Sequence, residues 1–311
     1  MISNKKWIEM ISNLNTWKQG SQRAPHKPLM ILMLIARASR KGNRTVYFSE
    51  IDEQLTDLLK EFGPSRKSYH PENPFWHLSS DGFWFVNEAD GLPKKKGGKS
   101  PSKKILLDKN VFGSVNEELW NELVDNSHLR IELTDILLNE FWPDTRHSAI
   151  RQSIGLSDLI STSKQRRKRD PKFRKDVIRA YQGRCAVCGF DVRLANIPLG
   201  IQAAHIKWHS YNGPDDVSNG VALCSFHHLA LDSGAIGLDE SKRIIISSDI
   251  TGSNQVNTNL YNYEGKQLAS PQPGFAQIDI EYIQWHQSEV FKKPARLLLS
   301  GSGHSIAADG N

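Results

Sequence analysis

The sequence is short of the features that would place a chain in a membrane or in an oxidising compartment. No apolar run reaches the roughly 18 residues of a bilayer-spanning helix; the best, Pro28 to Ala36, is half that. Met1 to Glu9 is polar apart from Trp7, Met1 and two isoleucines, and lacks the core of a secretory signal. Three cysteines in 311 residues, an odd number, exclude a closed disulfide framework and point to a reducing cytoplasm. There is no internal repeat. Excess charge is also scarce: 40 Lys+Arg against 34 Asp+Glu leave +6, which alone names no partner. With 38% hydrophobic and 24% charged residues the chain is not disordered as a whole, and its length accommodates two domains.

What charge there is lies in two clusters. Pro93 to Lys104 holds six lysines in twelve residues, among them Lys94, Lys95, Lys96, Lys99 and Lys103, in a Gly/Ser/Pro loop able to meet phosphates. Lys164 to Lys175 holds eight basic residues in twelve, Arg167 and Lys168 included, after Ser161-Thr162-Ser163 and without apolar periodicity. The alternative for either run is a solvated face. The second reads as a linker, giving domains at 1–160 and 173–296 joined by 161–172, with a disordered Gly/Ser tail at 297–311.

Spacing predicts helices over Asn4–Leu14, Lys27–Arg37 (Pro28 near its start) and Phe48–Phe62, the last closed by Gly63-Pro64. Phe75 to Val86 reads as a hairpin around Asp81-Gly82. Leu119 to Trp142 predicts one or two helices with a break before Leu133. The fold class expected is α+β: a mainly helical N-terminal domain with a small sheet, followed by a second domain.

The chemistry gathers in the second domain. Cys185-Ala-Val-Cys188 and Cys224-Ser-Phe-His227 are two half-sites whose four ligands suit one tetrahedral Zn²⁺. A redox C-x2-C is the competing reading, but no βαβ pattern surrounds it and the second pair would go unexplained. Between and beyond the half-sites stand Ala203-Ala204-His205, Asn219-Gly220-Val-Ala-Leu-Cys224 and His227-His228. In this order and spacing the segment resembles the HNH nuclease family of the ββα-metal fold, over roughly residues 173–250. The resemblance implies His205 as general base, Asn219 as the residue holding that base or its loop, and His228 as ligand of a Mg²⁺-, Mn²⁺- or Ni²⁺-like ion. A neutral imidazole suits proton abstraction from water near neutral pH. Asp232, one helical turn after His228, is a candidate second ligand, or else a helix-to-backbone tether. Many members place a metal-binding residue just before the base; here that residue is Ala204.

The first domain carries Arg23-Ala-Pro25-His26-Lys27-Pro28-Leu29, Pro71-Glu-Asn73-Pro74-Phe75-Trp76-His77 and the lysine loop. Together with a C-terminal HNH domain these motifs resemble the sulfur-binding domains of phosphorothioate-dependent restriction endonucleases. That resemblance implies an apolar cavity for sulfur built from the Pro74 ring with Asn73, Phe75 and His77. It implies Arg23 and His26 at the modified phosphate or adjoining bases, and Lys99 in a groove. Lys94, Lys95, Lys96, Lys103, Arg167 and Lys168 would meet the backbone. Sulfur is larger and more polarizable than oxygen and less well hydrated, so it favours such a pocket over a ring of donors. The expectation is a modification-dependent endonuclease acting on phosphorothioated double-stranded DNA, as a homodimer at least on DNA, since cutting both strands takes two active sites. Two alternatives stand beside it. One is an HNH enzyme reading unmodified or base-methylated DNA, with Trp76 and Trp84 as an aromatic cage. The other is a zinc-containing DNA-binding regulator without nuclease activity.

Overall fold

The computed structural model describes residues 2–19, 22–95, 100–158 and 170–296. Helix α1 (Ile2–Ser12) buries Trp7 and Ile11. A two-residue strand pair follows, β1 (Lys18–Gln19) with β2 (Gln22–Arg23). Helix α2 (His26–Ser39) is the axis of the N-terminal half: Lys27 through Ala36 are all buried. A helix apolar all round belongs in a core, and Pro28 sits in its first turn, where a missing N–H costs nothing. The buried Lys27 ammonium donates to Asp81 at 2.5 Å and to the Asn15 carbonyl at 2.7 Å. Helix α3 (Phe48–Phe62) turns Ile51, Leu55, Leu58, Leu59 and Phe62 inward, the face its sequence period marks.

The expected hairpin at Phe75–Val86 is not formed. Residues Glu72–His77 are helix α4, a 3₁₀ turn covers Leu78–Asp81, and Gly82 reverses the chain at φ 81°. Strand β4 (Trp84–Val86) pairs with the distant β5 (Phe112–Val115), which also pairs with β3 (Thr45–Tyr47), all antiparallel. Phe75 and Leu78 lie three apart, a helical spacing that holds both in the core. The Trp84 indole donates to the Phe75 carbonyl at 2.7 Å. It lies so close over β5 that a Cβ at Gly113 would meet its ring at 2.0 Å.

After helix α5 (Lys103–Asp108) come α6 (Glu117–Asp125), α7 (Ser127–Phe141) and α8 (Asp144–Ile154). The break expected before Leu133 falls at Asn126, because the Asn126 side chain accepts from the Leu129 N–H at 3.0 Å and starts a new helix there. Residues 161–169 of the expected linker lie outside the described residues, as does the expected tail. Asp170 caps helix α9 (Pro171–Ala180), with Pro171 at its first position.

Beyond α9 a short hairpin of β6 (Arg193–Leu194) and β7 (Ile197–Pro198) leads into β8 (Ile201–His205). Strand β8 pairs antiparallel with β9 (Gly220–Cys224), His205 opposite Gly220, and helix α10 (Ser225–Asp232) follows at once. The hairpin β10 (Ile236–Leu238) and β11 (Ile244–Ile246), α11 (Asn254–Asn259) and α12 (Ile280–Glu289) complete the half. The architecture is α+β, a helical first half with one small sheet and a ββα unit in the second. Each half has its own core, yet Trp208, Tyr211, Trp285 and Val290 of the second half belong to the core of the first. The seam is therefore apolar at its centre. At its edge the Lys292 ammonium donates to the Lys60 and Gly63 carbonyls at 2.7 and 2.8 Å, capping α3 from across the seam. Among the described residues no helix is long and apolar enough to cross a membrane.

Candidate functional site

Cys185 and Cys188 lie in the turn after α9, Cys224 ends β9, and His227 opens α10. Their ligand atoms fall within 4.8 Å of one another. The His227 Nδ1 is 3.6 Å from the Cys185 sulfur and 3.2 Å from that of Cys224. Its Nε2 donates to the Asn259 carbonyl at 2.9 Å, which leaves the Nδ1 lone pair facing the cysteine sulfurs. Hydrogen bonds from Cys188 and Cys224 push the Cys185 thiol well below its ordinary range, while the hydrogen bonds Cys188 makes to Cys185 and Cys224, with burial, push the Cys188 thiol up. Burial works against a charge on His227, but Cys185 and Cys224 raise it to about 10. Three sulfurs and one imidazole suit a closed tetrahedral site that supports the fold.

The ββα unit carries His205 at the end of β8, Asn219 just before β9 and His228 on α10. His205 ends β8, its ring stacked on Phe173 with centroids 4.0 Å apart. Its Nε2 donates to Asp215 Oδ1 at 2.7 Å. An ionised carboxylate only accepts, so Nε2 carries the hydrogen and the basic lone pair is on Nδ1. Burial opposes the Asp215 charge, but the Asp170 backbone N–H and His205 outweigh it and hold the carboxyl below its usual range. Asn219 is fully buried and fully bonded. It accepts from Lys207 N at 2.8 Å and donates to the Lys207 and Pro214 carbonyls, both at 3.0 Å. It thereby pins the loop that leaves His205, which passes so close that a Cβ on Gly213 would strike the Lys207 carbonyl at 1.8 Å.

His228 lies on α10 with its two ring nitrogens facing different groups. Its Nδ1 meets the Gln202 side-chain amide at 2.6 Å, and its Nε2 lies 3.2 Å from Asp232 Oδ2. Gln202 is an exposed residue of β8, two positions before Ala204. Asp232 is fully buried, with Oδ1 accepting from the Trp208 indole at 3.1 Å and Oδ2 from the Thr145 hydroxyl. Burial opposes its charge, yet His228 and Thr145 keep its carboxyl below the usual range.

On the N-terminal half, Pro74 is buried in α4 and Asn73 and His77 are part-exposed beside it. Phe75 is a correction to the sequence reading: it is fully buried, edge-on to Phe48 and Trp84, and lines no surface. Trp84 is likewise wholly buried, which removes it from any base-binding cage. Arg23 is spent at the seam. Its guanidinium pairs with Glu140, donates to the Ser210 carbonyl, and lies 4.9 and 4.8 Å over the rings of Phe141 and Tyr211. His26, at the start of α2, has a buried Nδ1 with no hydrogen bond, and burial followed by Arg66 and His70 lowers its pKa to about 4. Glu72 accepts from Lys95 and His70, each at 3.0 Å, and Lys103 pairs with Asp52 at 2.7 Å. Lys94 is exposed. Lys96, Lys99, Arg167 and Lys168 lie outside the described residues. A further basic surface adjoins the ββα unit: Arg174, Lys175 and Arg179 of α9 with Arg193 line an open groove of about 500 Å³.

Spacing alone did not point to Asp215, Gln202 or Thr145. Asp215 follows Gly213-Pro214 in a loop with no periodicity, and Gln202 is an outward residue of a short strand.

A family model described as "ScoMcrA-like, DNA sulfur-binding domain" matches residues 4–159, and one described as "HNH endonuclease" matches residues 185–239. No curated protein sequence matches the chain. Among solved structures, the sulfur binding domain of ScoMcrA complexed with phosphorothioated DNA is 18% identical, with TM-score 0.44, over 50% of this chain and 98% of that one. The corresponding domain of SprMcrA is 21% identical, with TM-score 0.44, over 50% and 96%. The modification dependent TagI restriction endonuclease is 26% identical, with TM-score 0.30, over 38% and 37%.

Proposed function

The chain belongs to the ScoMcrA-like DNA sulfur-binding domain family and carries an HNH endonuclease domain behind it; from that premise we propose that it binds phosphorothioated double-stranded DNA and cuts phosphodiester bonds nearby. The observation that carries the cleavage half is the His205–Asp215 pair. A carboxylate bonded to Nε2 orients the ring, directs the basic lone pair to Nδ1 and stabilises the imidazolium that forms when water gives up its proton. Asn219 keeps the loop beyond the base in register. His228 Nδ1, with the Gln202 amide oxygen beside it, would hold a Mg²⁺-, Mn²⁺- or Ni²⁺-like ion. Such an ion, when bound, neutralises charge at the scissile phosphate and at the departing oxygen. Zn²⁺ would occupy the Cys185, Cys188, Cys224 and His227 cluster and hold the unit together.

Recognition is assigned to the part-exposed edge of α4 and the residues facing it. The Pro74 ring, with Asn73 and His77, would take the sulfur, and a neutral His26 would lie close by. The lysine loop with Lys94 and Lys99, and the α9 groove with Arg174, Lys175 and Arg179, would follow the phosphates. Cutting both strands takes two such sites, so a homodimer on DNA is part of the proposal.

Matched duplexes with and without a single phosphorothioate, incubated with the protein and Mn²⁺, test the reading. Cleavage confined to the modified duplex is expected. Equal cleavage of both would sink sulfur recognition, and cleavage of neither would sink the nuclease.

A further inference from the structure

The fully buried carboxylate of Asp232 is anchored from both halves of the molecule, and only one of its partners is a nuclease-site residue. We propose that Thr145, in the sulfur-binding half, is a positioning residue of the nuclease site: its hydroxyl holds the carboxylate that sets the tautomer of the metal-binding His228. The inference rests on the reading of His228 as the ligand of the catalytic ion.

The tautomer follows from what each neighbour is able to accept. A side-chain amide can turn either its C=O or its NH₂ toward a ring nitrogen, so Gln202 is compatible with either state of Nδ1. An ionised carboxylate can only accept, so Asp232 requires a hydrogen on Nε2. The neutral ring then has its lone pair on Nδ1, the atom on the Gln202 side. A carboxylate behind a ligating histidine orients the ring and raises its basicity.

Asp232 can do this only if it is itself held. Trp208 takes Oδ1, at 3.1 Å. The Thr145 hydroxyl donates to Oδ2, the same oxygen that faces His228. Thr145 and Asp232 are 87 residues apart, and Thr145 sits in the first turn of α8. Its neighbour Arg146 fixes the register of that turn against the end of α10: the guanidinium donates to Ser233 at 2.8 Å and lies 5.0 Å over the Phe62 ring. The recognition half thus supplies a hydroxyl to the hydrogen-bond chain Thr145–Asp232–His228, and the ββα unit without it has a less ordered ligand.

The test uses the full-length, zinc-loaded chain. Mn²⁺ binding is followed by electron paramagnetic resonance, with and without a phosphorothioated duplex, in parallel with cleavage. Thr145→Val, which keeps the β-branch and removes the hydroxyl, should bind Mn²⁺ about tenfold more weakly and cut correspondingly more slowly. Thr145→Ser should restore both to within about twofold of the wild type. DNA affinity should be the same in all three. On an Asp232→Asn background, Thr145→Val should add nothing, because it acts only through that carboxylate. Should Thr145→Val fail to fold, Thr145→Ala carries the same comparison with Ser. Wild-type Mn²⁺ affinity in Thr145→Val, an equal loss in Thr145→Ser, or additive losses with Asp232→Asn would each overturn the positioning role. A wild-type chain that cuts but binds Mn²⁺ unchanged when His228 is replaced by Ala overturns the ligand reading, and this inference with it.

Discussion

Acidification should unmask His26. In the folded chain burial, reinforced by Arg66 and His70, holds this imidazole at about 4, against an ordinary value of 6.5. Between those two values the unfolded chain binds a proton that the folded chain refuses. The stability this represents is therefore complete above pH 6.5 and drains away as pH falls through about 4. A tenfold difference in proton affinity between the folded and unfolded chain is worth about 1.4 kcal/mol, so the full difference is about 3 kcal/mol, of which about 2 kcal/mol is lost between pH 7 and pH 5. Urea unfolding at the two pH values measures it, comparing the wild type with His26→Gln, which cannot titrate. Depressed His147 and His286 add their own pH dependence, but equally to both proteins. The wild type should lose about 2 kcal/mol more than the variant on going to pH 5. Parallel losses, or a His26 ring proton titrating near 6.5 by NMR, would refute the burial argument. The outcome bears on recognition too, because a His26 that stays neutral at pH 7 meets DNA as a hydrogen-bonding group and not as a cation.

Two further predictions concern the nuclease half. Asp215→Asn keeps an acceptor for His205 but removes its charge; since a charge-assisted bond exceeds a neutral one by about 1 kcal/mol, cleavage should slow about five- to tenfold with DNA affinity unchanged. Single-turnover cleavage alongside a binding assay checks this, and an unchanged rate would remove Asp215 from the site. Removing the metal from the cysteine cluster, by chelation or by Cys188→Ser, should unfold the ββα unit while α2 and its surrounding helices persist, because the residues packed around the cysteines belong to a different core from α2. Hydrogen exchange resolves the halves, and uniform protection after metal loss would contradict a structural role.

Much of the site was legible in the sequence because its parts are local. A C-x2-C turn and a C-x2-H pair at the head of a helix place four ligands with almost no help from the rest of the chain. His205, Asn219 and His228 likewise sit at the ends of a two-strand hairpin and on the helix that follows it at once. Helix α3 was readable to its ends, since one face alone is apolar and Gly63-Pro64 stops it. The misreadings lie where local patterns are ambiguous. Aromatics between Phe75 and Val86 fit a hairpin as well as a helix and a distant strand, and the third element that decided between them, β5, begins at Phe112. Arg23 and Phe75 lie in the motifs that suggest recognition, yet one is held at the seam and the other fills a core.

Left to itself, then, the sequence determined which residues can bind metal, which can take a proton and which half of the chain carries each task. Those properties reside in side-chain chemistry and in spacings of a few residues. Only the tertiary structure decided how the reactive groups are oriented. Asp215 reaches His205 from ten residues away along an irregular loop, and Thr145 reaches Asp232 across 87 residues and a domain seam. No periodicity links such positions, because what joins them is the packing of α8 on α10 and of Trp208, Tyr211 and Trp285 into a core shared by both halves.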